Sequence, residues 1–321
     1  MNISDITCSD FKPTQTDGRT RCIHFLPSGG CDLHDRCHEF LKAKGLADKK
    51  TYSNSRLTRL GCRRAYWYSY IEGIQAITSP LYMRRGALIH RALAWLYRGK
   101  PWNQFRIYEQ ELNVADEKEA VEAMKLSAVY EAYVRIVDLG EWKYTIADVE
   151  KFVQGQIAGR EFIAYLDLYP LHNNKRIIVD HKLVGDLEDF SLLSNRDQVC
   201  MYLHLNPEVE AFCFNLLARP WRMRPKKGEE LEEFRKRTLT EVLAYPKKYF
   251  DRKYFYRAEF DIQTWLKETE IKLEELEGLP KEIEFFFRDT NNCRILECEF
   301  EPICETGVID WNLFKKKGVK R

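Results

Sequence analysis

Two carboxylates and an ammonium group lie close together in an otherwise apolar stretch of the sequence. Asp167 lies in one apolar run, and Asp180 and Lys182 lie near the end of the next. Burying such charges is costly unless they are paired. A hard divalent metal offsets that cost, and Mg²⁺ usually takes one or two carboxylates together with substrate phosphate oxygens. The three residues are therefore candidates for a metal-dependent reaction at phosphate.

The two apolar runs must position these residues. Residues 162–171 and 176–183 flank a pair of asparagines at 173–174, a pattern that predicts a β-hairpin. Residues two apart on a strand point to the same face, so Asp180 and Lys182 share one side. An acid at the matching point of the neighbouring strand can then meet them.

Helices are predicted on both sides of the hairpin in sequence. Residues 194–197, Ser-Asn-Arg-Asp, resemble a capping box that opens a helix. On that helix Gln198 and Tyr202 are four residues apart and share a face. Upstream, Ser79-Pro80 starts a helix that carries Gly86 and His90. Gly86 lies one turn before His90, which permits a close backbone approach there.

The order of these residues resembles a known family. The sequence reads GxxxH, then D…DxK, then QxxxY, as in the PD-(D/E)xK nucleases of the RecB family. It is most similar to the iron–sulfur-containing branch, the CRISPR-associated RecB-like exonucleases and the AddB nuclease domain. The resemblance covers roughly residues 53–304 and implies an α+β fold, a mixed β-sheet flanked by helices. The implied reaction is metal-dependent hydrolysis of phosphodiester bonds in DNA.

The resemblance also implies a role for each matched residue. Lys182 would orient the attacking water or stabilise the developing negative charge. Gln198 and Tyr202 would position the substrate and neighbouring side chains. The ligands of Mg²⁺ or Mn²⁺ would be an imidazole, two carboxylates and one backbone carbonyl: His90, Asp167, Asp180 and the carbonyl of His181.

Composition and cysteine usage fit an intracellular protein. The chain has 321 residues with a formal net charge of +2, so any contact with nucleic acid must come from local patches. It has no apolar run of 18 residues and no signal peptide, which predicts a cytoplasmic protein without a membrane segment. In that setting its ten cysteines favour metal or cluster binding over disulfides.

Three cysteines near the C-terminus form a second candidate site. Cys293-x4-Cys298-x5-Cys304 offers three soft ligands for zinc or an iron–sulfur cluster. The RecB-like iron–sulfur nucleases carry three such cysteines and one ahead of the nuclease core, a role that Cys62 fits. The resemblance thus implies a 4Fe–4S cluster. The first gap is wider than the usual two residues of the family, so zinc remains an alternative.

The N-terminal residues 1–50 form a Cys/His-rich extension. Cys22-x8-Cys31-x5-Cys37 has the opening spacing of a CCCH zinc finger, but Leu41 occupies the position of the final histidine. The fourth zinc ligand could come from Cys8, His34 or His38. A reduced, weakly ordered extension is the other interpretation.

Several arginines are candidates for phosphate contacts. For any one of them, a solvated surface charge is an equally good interpretation. Trp221 lies beside two of them, Arg222 and Arg224, and could stack on a base. The candidates are Arg56, Arg63, Arg64, Arg222 and Arg224.

The sequence divides into four predicted parts: the extension 1–50, a nuclease core 51–218, a mainly helical insertion 219–282, and a C-terminal cysteine cluster with a basic tail, 283–321. The predicted function is a DNA exonuclease acting on ends or single strands in recombination, repair, phage or CRISPR-type DNA processing. Recombination or CRISPR-adaptation proteins would be its partners. The alternatives are a DNA-end-binding component with little cleavage of its own, and an RNA- or partner-binding protein.

Overall fold

The computed structural model describes residues 11–13, 20–22, 50–99, 112–138, 145–172, 175–289, 293 and 298–317. Near the start of the chain, β1 (Phe11–Pro13) pairs antiparallel with β2 (Thr20–Cys22). Cys22 ends β2, whereas Cys31 and Cys37 lie outside the described residues. The N-terminal zinc site therefore stays a prediction.

A mixed sheet of five strands lies at the centre of the described structure. The two middle strands, β6 and β7, run parallel, and the other neighbouring pairs are antiparallel. The strands, in spatial order, are β4 (Thr145–Ile157), β5 (Arg160–His172), β6 (Lys175–Val184), β7 (Ala211–Ala218) and β8 (Phe250–Tyr256). β5 and β6 form the predicted hairpin, whose two asparagines lie outside the described residues.

Nine α-helices are found within the described ranges. They are α1 (Asn54–Thr58), α2 (Arg63–Tyr66), α3 (Leu81–Tyr97), α4 (Glu117–Asp138), α5 (Arg196–Leu205), α6 (Leu231–Ala244), α7 (Pro246–Tyr249), α8 (Ile262–Gly278) and α9 (Glu301–Thr306). Ser53 caps α1, because its side chain accepts the Arg56 N–H at 3.3 Å. The predicted α+β fold with a mixed, helix-flanked sheet is confirmed.

Helices cover both faces of the sheet, and β7 shows how. Every residue of its sequence, AFCFNLLA, is buried, as expected for a strand between two layers. Phe214 and Leu216 pack with α5 and α8 in one apolar cluster, whereas Leu217 packs with α3, α4 and α6 in another. Since alternate residues of a strand point to opposite faces, Asn215 faces the α3 and α4 side.

The two ends of the described core meet beside the sheet. β3 (Ile74–Ala76) pairs antiparallel with β9 (Phe314–Lys316). Ile74 and Phe314 share a small apolar cluster with Phe300. Cys62, Cys298 and Cys304 pack against this cluster. The segment that opens the core is thereby joined to the segment that closes the chain.

One local prediction is wrong. α5 begins at Arg196, and its N-cap Asn195 makes no side-chain capping bond. Instead of capping the helix, the Ser194 hydroxyl donates to the carbonyl of Ser191 at 3.0 Å. A 3₁₀ turn, Leu193–Asn195, leads directly into the helix and replaces the capping box.

Two further observations concern the chain as a whole. None of the helices in the described ranges combines the length and the apolar character needed to cross a membrane. β8, at residues 250–256, adds a fifth strand to the sheet and lies within the predicted insertion 219–282. The predicted boundaries between the four parts of the chain are otherwise untested.

Candidate active site

The two candidate carboxylates lie opposite each other where β5 and β6 stop pairing. Leu168 and Val179 are paired across the two strands. The next positions along each strand are Asp167 and Asp180. The backbone N–H of His181 donates to Asp167 Oδ2 at 2.7 Å. The opening between the strands thus gives the carboxylates room to meet.

Asp180, Lys182 and Gln198 form a closed polar cluster. Lys182 Nζ lies 2.9 Å from Asp180 Oδ2 and donates to Gln198 Oε1 at 2.8 Å. Gln198 Nε2 donates to Asp180 Oδ1 at 2.6 Å. Asp180 and Gln198 are only 4% and 5% exposed, so water competes little for these bonds. The cluster fixes the acid and the lysine relative to each other.

His90 approaches the site from α3. Its Nδ1 lies 3.1 Å from Asp167 Oδ2, and the side chain is partly buried. The close approach that Gly86 permits is not used, because a Cβ there would meet no atom of the described residues within 4 Å. His90 therefore reaches Asp167 through the length of its own side chain and through the packing of α3 against β6.

The charges of the site perturb each other strongly. Burial alone would lower the pKa of His90, but the Asp167 carboxylate raises it to about 9. Burial alone would raise the pKa of Asp167, yet the facing His90 holds it well below its usual range. Burial raises the pKa of Asp180, and the Asp167 charge adds to the effect while Lys182 opposes it. At neutral pH His90 and Asp167 therefore form an ion pair.

Tyr202 and Glu150 flank this cluster. Tyr202 Oη donates to the Tyr165 carbonyl at 3.3 Å. Burial, and then the charges of Asp180 and Asp167, raise the pKa of Tyr202 well above its ordinary value. Glu150 lies on β4 at φ +57°, a backbone conformation that is uncommon for a residue with a side chain. The charge of Glu150 also raises the pKa of Tyr202, so Glu150 lies near the site.

The carboxylate oxygens of Asp167 and Asp180 suit a hard divalent cation, although in this structure they form ion pairs with His90 and Lys182. Asp180 Oδ2 is buried and has no hydrogen-bond donor; its contact with Lys182 is an ion pair without hydrogen-bond geometry. Such an oxygen beside a second carboxylate fits Mg²⁺ or Mn²⁺. In the described part of the chain, no three His, Cys, Asp or Glu side chains stand ready to hold one metal ion. Binding would require Asp167 to leave His90.

The predicted cluster cysteines lie in one region. Burial, and then the neighbouring cysteines, raise the pKa of the thiols of Cys293, Cys298 and Cys304. Cys62 acts on all three of them, and all four are partly exposed free thiols. Among the described residues, no three of these cysteines are close enough together to hold one metal ion.

A cavity links this cysteine region to the candidate active site. It has a volume of about 520 Å³ and is lined by Lys182 and Gln198 as well as by Cys62, Cys293 and Cys298. Two exposed side chains at the start of α3, Tyr82 and Met83, also line it. Further polar groups come from α1 and from the turn before α5: Asn54, Ser55, Thr58, Ser194 and Asn195.

The first group of candidate arginines makes contacts within the protein. Arg56 donates to the Tyr66 hydroxyl at 2.8 Å and to the Thr51 carbonyl at 2.7 Å. Arg63 pairs with Glu275. Arg64 donates to the Phe286 carbonyl, at 2.6 Å. These contacts give the three arginines a structural role.

The second group is more exposed. Arg222 lies over the Trp221 ring at 4.7 Å, and Arg224 donates to the Met223 carbonyl at 2.9 Å. Trp221 itself is 41% exposed. A phosphate contact by Arg222 or Arg224 stays a prediction.

Sequence reasoning considered His181 only for its carbonyl and missed the surroundings of its ring. The ring is buried and stacks on Tyr97 with a centroid distance of 5.7 Å and an interplanar angle of 7°. Its Nδ1 contacts Asn215 Nδ2 at 2.8 Å. A signal was available, because Asn215 is the one polar residue in the apolar run AFCFNLLA.

Comparison with known proteins identifies the family. Residues 51–305 match the PD-(D/E)XK nuclease superfamily, so the chain belongs to that superfamily of nucleases. No curated protein sequence matches the chain.

Solved structures provide two remote similarities. A protein described as "Putative exonuclease" from Eubacterium rectale is 14% identical, with a TM-score of 0.47; the match covers 82% of this chain and 95% of that one. The protein SSO0001 is 13% identical, with a TM-score of 0.32, and the match covers 70% and 85% of the two chains.

Proposed function

We propose that this protein is a metal-dependent deoxyribonuclease that hydrolyses phosphodiester bonds of DNA. The observation that carries the proposal is the strand register that brings Asp167 opposite Asp180. Lys182 and Gln198 complete the group through contacts of 2.9 Å and 2.6 Å with Asp180. Membership of the nuclease superfamily supports the same reaction class.

The proposed roles follow from the contacts. A cation such as Mg²⁺ or Mn²⁺, held by His90, Asp167, Asp180 and the His181 carbonyl, would polarise the scissile phosphate and lower the pKa of a bound water. Lys182 lies within 2.9 Å of Asp180, so its ammonium would stand beside the reacting phosphate. There it would orient the water and stabilise the negative charge that develops on the phosphate oxygens.

Gln198 and His90 have supporting roles in this proposal. Gln198 bridges Lys182 and Asp180 and so prevents either side chain from turning away. Tyr202, on the same face of α5, packs beside them. Protonated His90 compensates the charge of Asp167 until the cation binds, because Nδ1 lies 3.1 Å from that carboxylate. Once deprotonated, His90 would become a ligand of the cation.

The cavity beside Lys182 supports action on a strand end or a single strand. Its volume of about 520 Å³ suits one or two nucleotides and is far too small for a duplex. Tyr82 offers an exposed ring on which a base could stack. We propose that an unpaired DNA strand occupies this cavity with a phosphate next to Lys182.

The cysteine region supports a 4Fe–4S cluster held by Cys62, Cys293, Cys298 and Cys304. Support comes from their proximity, because the nearby thiols of Cys62, Cys293 and Cys298 each raise the pKa of Cys304. The cluster would tie the core opening to the C-terminal segment, and zinc is the alternative.

Incubation of the purified protein with end-labelled DNA tests the proposal. Single-stranded, duplex and overhang substrates are offered with Mg²⁺, Mn²⁺ or a chelator, and product lengths are read over time. We expect metal-dependent shortening from an end, and none with Asp180→Asn. Binding of DNA ends without cleavage would favour a DNA-end-binding component of a recombination or CRISPR-adaptation assembly. Loss of activity on deleting residues 1–50 would indicate that the function depends on the N-terminal extension, as in an RNA- or partner-binding protein.

A further inference from the structure

A row of buried and partly buried polar side chains crosses the sheet behind the active site. His181 on β6 is the register partner of Asn215 on β7, and Asn215 is the register partner of Arg252 on β8. Register partners in adjacent strands point to the same face. Asp180 and Lys182 alternate with His181 and so face the other side, toward α5. The row therefore lies on the α3 and α4 side of the sheet.

Hydrogen bonds connect the row from end to end. Arg252 Nε donates to Asn215 Oδ1 at 3.2 Å, and Asn215 Nδ2 contacts His181 Nδ1 at 2.8 Å. Arg252 Nη2 also donates to the Tyr133 hydroxyl at 3.2 Å. The Tyr133 hydroxyl is 2.6 Å from that of Tyr97. Tyr97 stacks on the His181 ring and closes the network.

The direction of these bonds fixes the tautomer of His181. A guanidinium can only donate, so the Asn215 carbonyl oxygen must face Arg252. The Asn215 amide nitrogen then faces His181 and donates to Nδ1, which leaves the ring proton on Nε2. His181 Nε2 is buried and has no partner among the described residues. Asn215 alone therefore selects the tautomer.

The network also reaches the catalytic carboxylate. The His181 ring lies edge-on to His90, with centroids 6.2 Å apart, and α3 carries both His90 and the stacked Tyr97. The backbone N–H of the same His181 donates to Asp167. His181 thus contacts α3, which carries His90, through its ring, and it contacts Asp167 on β5 through its backbone N–H.

Resting on the proposed function, we infer that Asn215 and Arg252 are positioning residues for the metal-binding carboxylate Asp167. They act through His181: its fixed ring holds His90 on one side of Asp167 and the β6 N–H on the other. Partners of this kind, which touch the groups around a metal site and not the metal, typically contribute about 10–100-fold to metal affinity or activity.

Two variants of Asn215 separate this role from general stability. Asn215→Asp keeps the volume and the bond from Arg252, but a carboxylate can only accept. The His181 ring must then carry its proton on Nδ1. Asn215→Leu removes both bonds at similar volume. Thr238→Val is the control, because Thr238 is fully buried and its hydroxyl donates within its own helix, to the Phe234 carbonyl at 2.8 Å.

The first measurement is the imidazole ¹⁵N NMR spectrum of protein labelled at histidine. We expect the Nε2–H tautomer at His181 in the wild type and in Thr238→Val, and the Nδ1–H tautomer in Asn215→Asp. This result does not depend on nuclease activity or on any variant of doubtful stability, because the wild-type spectrum alone can refute the assignment. A wild-type Nδ1–H tautomer would overturn the inference.

The second measurement compares Mn²⁺ affinity by calorimetry and DNA cleavage. In folded Asn215→Asp and Asn215→Leu we expect Mn²⁺ affinity and kcat to fall about 10–100-fold with little change in KM. Thr238→Val should keep wild-type values for both. If Asn215→Asp changes the His181 tautomer but leaves the Mn²⁺ affinity unchanged, the positioning role is contradicted. If the wild type cuts no DNA, the proposed function fails, and the Mn²⁺ comparison still decides this inference.

Discussion

Lys182 Nζ and Asp180 Oδ2 lie 2.9 Å apart, two residues from each other on one strand. Gln198, from a helix on the same side of the sheet, bonds to both of them. The shared face follows from the period of two in a β-strand. Asp180 is buried and Lys182 is partly exposed. Asp180 offers an oxygen to a cation and Lys182 does not, so removing each member has a different consequence for the site.

Asp180→Asn should abolish Mn²⁺ binding and cleavage without unfolding the protein. The substitution removes the negative charge of a buried carboxyl group, and burial already raises the pKa of that group. We therefore expect an unchanged or higher melting temperature. Lys182→Met should keep Mn²⁺ binding, because both carboxylates remain, while turnover falls about 10²–10⁴-fold. Calorimetry, thermal melting and cleavage of labelled DNA check both variants.

DNA affinity provides the control for this pair. Phosphate contacts elsewhere dominate binding, so both variants should hold DNA nearly as well as the wild type. Folded Asp180→Asn that still cuts DNA at the wild-type rate would move the active site elsewhere.

Metal binding should release a proton from His90. The Asp167 carboxylate raises the pKa of His90 to about 9, so the imidazole is protonated at pH 7 and must lose its proton to become a ligand. We expect Mn²⁺ affinity to rise between about pH 7 and pH 9, by up to about tenfold per unit. Calorimetry in two buffers of different ionisation enthalpy counts the released protons.

In the metal-free protein, the His90–Asp167 pair should make the fold less stable as the pH rises, whereas metal affinity should increase. A histidine whose pKa rises on folding stabilises the fold fully below about pH 6.5, and this contribution is lost as the pH rises through about 9. His90→Ala should abolish both effects, while His204→Ala, on α5, should retain them. Equal proton release by His90→Ala and the wild type would contradict the assignment.

The sequence predicts the parts of the site that depend on local rules. Strand alternation puts Asp180 and Lys182 on one face, and the hairpin pattern brings Asp167 to the matching strand. The partners of His181 depend on the register between β6 and β7, two parallel strands separated by 26 residues of chain. No local pattern fixes that register, so Asn215 and Arg252 could not be placed beforehand.

Two details near the site depend on neighbours that the sequence does not show. The residues before α5 have capping-box chemistry, but a preceding 3₁₀ turn makes the side-chain cap unnecessary. Arg56 has the charge expected of a phosphate contact, yet Tyr52, Tyr66 and Tyr70 surround its guanidinium at 4.5–5.5 Å. A sequence gives the charge of a side chain but not the aromatic rings that enclose it.

Cysteine substitutions should separate cluster ligands from packing thiols. Protein purified without oxygen should be brown, with broad absorbance near ~400 nm from iron–sulfur bonds. Cys62→Ser and Cys298→Ser should each remove the colour and the bound iron, and lower the melting temperature. Cys213→Ala is the control, because Cys213 is buried in the sheet and should leave iron content unchanged. Colourless protein with stoichiometric zinc at the four residues would replace the cluster with a zinc site.

Tyr82→Ala should weaken binding of single-stranded DNA. The ring lines the cavity beside Lys182 and is 43% exposed, so a base can reach it. Stacking of a base on an aromatic ring contributes about 1–3 kcal/mol, equivalent to about 5–150-fold in affinity. Fluorescence anisotropy in an Asp180→Asn background measures binding without cleavage. Tyr245→Ala, also at an exposed tyrosine, is the control; equal effects of the two changes would rule out a stacking site at Tyr82.

Glu277 should make stability depend on acid pH. Its carboxylate accepts from Tyr52 Oη at 2.6 Å, Lys50 Nζ at 2.9 Å and Arg160 Nη2 at 2.8 Å, which joins α8 to the start of the core and to β5. Burial alone would raise the pKa of Glu277, but these donors lower it to about 2. A depressed carboxyl pKa stabilises the fold above the ordinary value of 4.5, and this contribution is lost as the pH falls toward 2.

Glu277→Gln should therefore lower the melting temperature at pH 7 by about 2–5 °C, a modest value because the side chain is partly exposed. The difference from the wild type should shrink progressively between about pH 4.5 and pH 2.5, where the wild-type carboxylate becomes protonated. Glu275→Gln, on the same helix, is the matched control: its partner is Arg63, its side chain is 57% exposed, and its effect should stay within about 1 °C. A Glu277→Gln deficit that is equally large at pH 3 and pH 7 would mean that the residue stabilises the fold through packing and not through its charge.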